Sequence, residues 1–312
     1  MYYIGIDIGG MSVACGITDE KFNIIYKDSV PTEAKKPGEE IVADIIGLVK
    51  KVMDKVNAKE ADIKSIGIGA PGMLDRKKGV IVRSSNINFR NTEIRKLINE
   101  QINVPVYVDN DANCAALGEA VSGSTKAVDN SVMITLGTGV GGGVILNKKI
   151  YSGFNGHAGE LGHTVIVYDG EPCGCGRKGC WETYASVTAL IRQTKKAIEE
   201  NPDSILAKSV DGEVNGKTAF DAMRNNCPVG TEVVKQYIKY VAVGIVDIIN
   251  ILMPEMIAIG GGISKEGDAL IKPLIEEVTI NMYKKMAVPT KIVTATLGND
   301  AGIIGAAALG VD

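Results

Sequence analysis

"YYIGIDIGGMSVACGIT", residues 2–18, decides the architecture: two apolar runs, 2–8 and 13–18, flank Gly9 and Gly10. β-Favouring residues around adjacent glycines predict a hairpin whose turn carries no Cβ. The same arrangement returns where SVMITL (131–136) and GGVILN (142–147) flank GTGVG (137–141). Its recurrence predicts an internal duplication with one copy in each of two domains. Between the copies, EEIVADIIGLVKKVMDKVN (39–57) sets Ile41, Ile45, Val49, Val52 and Val56 on one helical stripe, entered through Pro37 and Gly38. IKSIGIGAPG (63–72) and VPVYVDND (104–111) read as buried strands ending in glycines or carboxylates, where α/β proteins keep their active-site loops. Helices are predicted at 112–121, 183–200, 231–252 and 267–286, and a strand at 256–259. The pattern is α/β throughout. The repeat places one domain at 1–120 and the other at 121–298, with a last helix at about 299–312 packing back onto the first.

A chain of 312 residues has room for two medium cores. Its 37 glycines exceed the usual ~7%, so much of it must turn sharply or lie close to something. A net charge of −3 offers no basic field for a nucleic-acid backbone or an anionic membrane. Small molecules are the expected partners. No apolar run approaches the ~20 residues that span a bilayer, and MYYIGIDIGG has no basic leader, which leads to a cytoplasmic expectation. In a reducing compartment, cysteines serve metals or catalysis more often than disulfides.

Three glycine turns follow strands: DIGGMS (7–12), LGTGVGGG (136–143) and IGGGIS (259–264). Backbone amides at such turns form concavities that accept phosphate oxygens. Together they predict a nucleotide in a central cleft, held by Gly9, Gly10, Ser12, Gly137, Thr138, Gly139, Gly260, Gly261 and Gly262. Asp7 would hold a magnesium ion beside the phosphates, since hard cations prefer oxygen. A turn-capping aspartate is the alternative. GHAGELGHTVIVYDGEPCGCGRKGCWE (156–182) holds both histidines of the chain. His163, Cys173, Cys175 and Cys180 have the spacing of a Cys₃His zinc site, and four protein ligands make such a site structural. The other nitrogen of His163 would then face a ligand. His157 reads as a solvent-facing or loop histidine, and Cys15, Cys114 and Cys227 as small buried hydrophobes.

DIGG, GAPG (69–72), DNDANCAALGE (109–119), LGTGVGGG, GELGH (159–163), CGCGRKGCWE (173–182) and IAIGGGIS run from residue 7 to residue 264 in an order that resembles the ROK kinases (repressor, open reading frame, kinase). The resemblance implies a two-domain, actin-like (ribonuclease H-like) ATPase fold with a zinc loop. It also implies ATP-dependent phosphorylation of a hexose, and CGRKGCWETYAS is most similar to the family's bacterial glucokinases. On the family's pattern Asp111 is the general base and Asn110 grips a sugar hydroxyl. Glu160, His163 and Glu182 bind the hexose, and Gly72 and Asn86 complete the pocket. A helix N-cap is the other role open to Asp111. The family usually has threonine after DIGG, where this chain has Met11 followed by Ser12, so the hydroxyl near the phosphates comes from Ser12 or is absent. Kinases for N-acetylmannosamine, N-acetylglucosamine, fructose or mannose belong to the same family, as do sugar-sensing repressors. Repressor members carry a DNA-binding domain ahead of the kinase-like part, whereas Met1 here leads straight into the first strand. The family, and an exposed-looking apolar helix at 231–252, lead to the expectation of a homodimer or homotetramer.

Overall fold

The computed structural model of the protein describes residues 1–84, 86–210, 212–283 and 290–311. In chain order the first elements are β1 (Tyr2–Ile8), β2 (Ser12–Thr18), β3 (Ile24–Pro31), α1 (Gly38–Lys55) and β4 (Ile63–Ala70). β5 (Met73–Asp75), β6 (Val80–Arg83), β7 (Arg90–Thr92), α2 (Ile94–Asn99), β8 (Val106–Asn110) and α3 (Asp111–Ser122) follow. The second hairpin is β9 (Ser131–Leu136) and β10 (Val140–Leu146), then β11 (Lys149–Ile150), α4 (Glu182–Ala185), α5 (Val187–Glu200) and α6 (Ile205–Lys208). The chain ends with α7 (Thr218–Arg224), α8 (Pro228–Leu252), β12 (Met256–Gly260), α9 (Asp268–Asn281), β13 (Lys291–Thr294) and α10 (Ala301–Ala308).

Two five-stranded sheets have matching orders, β3-β2-β1-β4-β8 and β11-β10-β9-β12-β13, and β5-β6-β7 make a small third sheet. In the first, β1 pairs antiparallel with β2, Ile8 opposite Val13, and parallel with β4, which pairs parallel with β8. In the second, β10 pairs antiparallel with β11 and β12 parallel with β13. The repeat seen in the sequence is therefore a repeat of sheet topology. Met1–Met133, Gly143–Gly159 and Thr296–Asp312 form one compact unit, and Ile134–Gly142 with Glu160–Ala295 a second.

In the first unit the stripe of α1 (Ile41, Ile45, Val49 and Val52, with Leu48) is buried together with Ile4, Ile6 and Ile8 of β1. Each such side chain contributes about 1.5–3 kcal/mol relative to exposure. α10 also packs on β1 and β4, and on α3, by a different device. Its sequence, AGIIGAAA, is wholly buried and mostly small, so backbones touch. A Cβ on Gly5 would lie 1.8 Å from the Ile303 carbonyl oxygen, and one on Gly67 1.7 Å from that of Ala306. On the α3 side, a Cβ on Gly305 would lie 1.6 Å from the Cys114 carbonyl oxygen. No side chain fits at these positions.

In the second unit α8 is the central helix. The apolar face that the sequence marks as exposed is largely consumed by this unit's own core, with Tyr237, Val241, Ile245 and Ile249 fully buried while Val243 and Ile251 stay exposed. The helix predicted over 183–200 is two helices, because the Ser186 hydroxyl accepts from the Ala189 amide (3.1 Å) and starts α5 as its N-cap. The helix predicted to residue 286 ends at Asn281, and 284–286 lie outside the described residues. Among the described residues no helix is long and apolar enough to cross a membrane.

Candidate active site

The end of β8 and the start of α3 are built by one hydrogen-bonded network. Asn110, the N-cap, accepts through Oδ1 from the amides of Ala112 (2.9 Å) and Asn113 (3.3 Å). Capping therefore falls to Asn110, and Asp111 is the first helical residue, half-buried. Asp109 is buried, and its Oδ1 accepts from Asn113 Nδ2 (2.9 Å), from the Asn110 amide (2.6 Å) and from Arg76 (3.0 Å). Burial pushes Asp109 above the usual carboxylate range, opposed first by Arg76. Asp7, at the end of β1, belongs to the same group. Burial, then the charge of Asp111, raise its pKa from 3.8 to about 6. Gly69 of GAPG closes the floor, where a Cβ would stand 3.5 Å from the Asp111 Cα. Asp7, Asn110 and Asp111 are thus brought together. Gly72 takes φ +100°, and a Cβ there would meet the Arg83 carbonyl oxygen at 2.3 Å, while Asn86 is exposed after β6.

The turn after Asp7 is tight. The Gly9 amide donates to the Ser12 carbonyl (3.0 Å), and the Gly9 carbonyl accepts from Thr32 Oγ1 (2.6 Å). This leaves Gly10, Met11 and Ser12 as the exposed tip, with Met11 91% exposed. A cavity of about 510 Å³ beside this turn is lined by Asp7, Gly9, Ser12, Lys27 and Asp300 among others, and Lys27 pairs with Asp300 across 2.5 Å.

In the second unit the GTG turn, the zinc-type loop and the third glycine turn adjoin one another. The Gly137 amide donates to the Gly139 carbonyl (3.0 Å), and Thr138 is the exposed tip. Gly260 is buried, whereas Gly261 and Gly262 are exposed; a Cβ on Gly261 (φ +84°) would lie 2.3 Å from the Leu136 carbonyl oxygen. Glu182 reaches the same turn. Its Oε2 accepts from the Val140 amide (3.0 Å) and lies 2.2 Å from where a Gly139 Cβ would be. Gly162 of GELGH presses on Val140 from the other side, while Glu160 is exposed.

His163, Cys173, Cys175 and Cys180 present ligand atoms all within 4.8 Å of one another. Cys173 Sγ is 3.6 Å from His163 Nδ1, and Cys175 Sγ is 3.6 Å from Cys180 Sγ. A tetrahedron with Zn–S near ~2.3 Å and Zn–N near ~2.0 Å has edges of about 3.5–3.8 Å, so donors and spacing fit zinc. The Arg177 amide, the largest influence, lowers Cys175 to about 6. The loop's exit is anchored by Trp181, fully buried, whose Nε1 donates to the Tyr240 carbonyl (2.8 Å) against Gly244 of α8. His157 is exposed, and Cys15, Cys114 and Cys227 are buried.

Two residues that matter here escaped sequence reading. Glu119, the last residue of DNDANCAALGE, is fully buried and accepts from the amides of Ser124 (2.6 Å), Thr296 (2.9 Å) and Leu297 (2.8 Å). It ties α3 to the segment before α10. Arg76, in a run of charges that resembles an exposed turn, is the second.

Paired hairpin sheets with glycine turns, carboxylates at the ends of parallel strands and a backbone-packed terminal helix define the actin-like ATPase class of α/β proteins. Within that class the chain matches the ROK family over residues 3–312, and it belongs to that family. It is 38% identical to a glucokinase of Halalkalibacterium halodurans, covering 97% of this chain and 93% of the relative. A ROK family glucokinase from Streptomyces griseus, solved in complex with glucose and AMPPNP, is 33% identical, with a TM-score of 0.80 over 99% of both chains. A xylose repressor of Bacillus subtilis is 29% identical over the whole of this chain and 77% of its own length.

The raised Asp7 pKa has a sign that can be measured. A carboxyl that holds its proton longer folded than unfolded costs nothing below about pH 4, and its penalty grows to completion above about pH 6. Asp7→Asn is therefore expected to gain stability over the parent by about 3 kcal/mol on going from about pH 4 to about pH 7.5. Urea unfolding at the two pH values reads this directly. A difference between the proteins that does not change with pH contradicts the burial of a charged Asp7.

Proposed function

We propose that the protein is an ATP-dependent hexose kinase that phosphorylates glucose on its 6-hydroxyl. The observation that carries this is the placing of Asp111 at the start of α3, within electrostatic reach of Asp7 at the mouth of the first glycine turn. In the proposed reaction the Asp111 carboxylate takes the proton of the attacking hydroxyl, the oxygen bonds to the γ-phosphorus, and ADP leaves. Phosphoryl transfer has a loose transition state, so positioning and charge neutralisation supply most of the acceleration. Amides at the tips of the glycine turns bind the phosphates, and Asp7 holds Mg²⁺ directly or through water. Asn110, with Gly72 and Asn86, is assigned to the sugar, and so are Glu160, His163 and Glu182 on the family's pattern. Relatives named as glucokinases over nearly the full length support glucose as the substrate. The chain's likeness to repressors leaves that choice to a panel of hexoses and N-acylhexosamines in one coupled ADP assay.

The four-ligand cluster is assigned to structural zinc. His163, Cys173, Cys175 and Cys180 would hold it, and with four protein donors the metal would organise the loop rather than activate water.

Asp111→Asn is expected to lower sugar-dependent ADP release by about 10²–10⁴-fold. A rate within about threefold of the parent eliminates the assigned base. Metal analysis of the purified protein is expected to find about one zinc per chain, falling in Cys175→Ser together with thermal stability. Folded, active protein that holds no metal contradicts the structural assignment.

A further inference from the structure

Arg76 sits just after β5, far in sequence from the strand it serves. Its guanidinium lies 3.0 Å from Asp109 Oδ1, and the two side chains are only 19% and 9% exposed. The backbone bearing it is fixed independently. Arg95 donates to the carbonyls of Arg76 (2.9 Å) and Lys77 (2.6 Å), and also to that of Val106 in β8 (2.9 Å). The turn that carries Arg76 is therefore clamped to the strand that ends in Asp109 and Asn110, directly before Asp111. Gly79 makes room for that clamp, since a Cβ there would meet Arg95 at 2.4 Å.

Around this point lie the carboxylates of Asp7 (β1), Asp109 (β8) and Asp111 (α3), with the Arg76 cation from the β5–β6 turn; Asp75, Lys77 and His157 line a cavity with Arg76, and Lys27, Asp28 and Asp300 line one with Asp7. The buried Cys114 thiol of α3 senses the three carboxylates and Arg76. Burial first, then Asp109, Asp7 and Asp111, push its pKa up, and Arg76 opposes them. Arg76 Nε is enclosed with no protein partner, so this guanidinium is not fully used as a structural clamp.

We propose that Arg76 is a positioning residue for the reacting carboxylate: paired with Asp109, whose Oδ1 also accepts from the Asn110 amide, it fixes the Asn110–Asp111 corner and sets a positive charge beside the clustered carboxylates. The role of Asp111 rests on the proposed function; the effect of Arg76 on its ionisation does not. Removing a cation from three clustered carboxylates raises their affinity for protons, so the base is protonated at higher pH and the acid limb of kcat moves up.

The test compares the parent with Arg76→Gln, Arg76→Lys and Asp109→Asn. Carboxyl titrations are followed by NMR in protein labelled at aspartate ¹³Cγ, with the Asp111 signal identified from Asp111→Asn. Kinetics of hexose-dependent ADP release are measured against pH on the same samples. In Arg76→Gln, which keeps a hydrogen-bond donor but no charge, Asp111 is expected to titrate about one pH unit higher. The acid limb of kcat is expected to follow it, with sugar KM within about threefold. Arg76→Lys is expected to restore most of both. Asp109→Asn leaves the cation uncompensated, so Asp111 is expected to titrate lower, and this decides the matter by the opposite sign if the glutamine variant does not fold. An Asp111 titration unmoved in whichever of these variants folds overturns the proposal. A parent that phosphorylates no hexose overturns the proposed function instead, and the titrations still judge Arg76.

Discussion

Backbone packed against backbone is the constraint on which the first unit rests. α10 lies on β1, β4 and α3 through Gly5, Gly67, Gly118 and Gly305, where any Cβ would overlap a main-chain atom. The same helix meets Asp7 at Gly302, where a Cβ would stand 2.5 Å from the carboxylate. One short, small-residue helix thereby holds together the strand that carries Asp7 and the helix that begins with Asp111. Buried Glu119 fastens the far end of α3 to the segment leading into α10. Asp7 pairs with Gly69 of β4, and a Cβ on Gly69 would stand 3.5 Å from the Asp111 Cα, so a residue without a side chain lies between the two.

Bringing carboxylates together carries an electrostatic cost, and the structure retains it. Burial and Asp111 raise Asp7 to about 6, while Asp109 is balanced by Arg76 and two further hydrogen-bond donors. Unfavourable charge placement of this kind is common where a side chain must accept a proton or hold a cation. The second unit solves a different problem. Cys180, Trp181 and Glu182 are consecutive, so the metal-type cluster, the anchor into α8 and the contact with the Val140 amide are mechanically continuous.

Features set by local chemistry were legible in the sequence. Both hairpins, the stripe of α1 and the cysteine spacing depend on neighbours a few residues apart, and the glycine turns announced themselves by composition. What escaped was polar or long-range. β3 was missed because IIYKDSVP alternates half-buried with exposed positions and carries Lys27, Asp28 and Ser29. β5, β6 and β7 are too short to show a period. Glu119 had no individual signal because two of its amide donors lie almost 180 residues away. Arg76 was hidden in LDRKKG, since its partner Asp109 lies on another strand. Glu182 was assigned to a sugar on the family's pattern, and its contact with the second glycine turn has no sequence signal at all.

The proposed phosphoryl transfer requires Asp111 to be the group next to the reacting hydroxyl. A crystal structure of the protein with glucose and a non-hydrolysable ATP analogue measures this directly. The expected result is an Asp111 carboxylate oxygen about 2.6–3.2 Å from one sugar hydroxyl that faces the γ-phosphorus. A sugar whose phosphate-facing hydroxyl contacts another side chain, with Asp111 beyond hydrogen-bond reach even through one water, would contradict it.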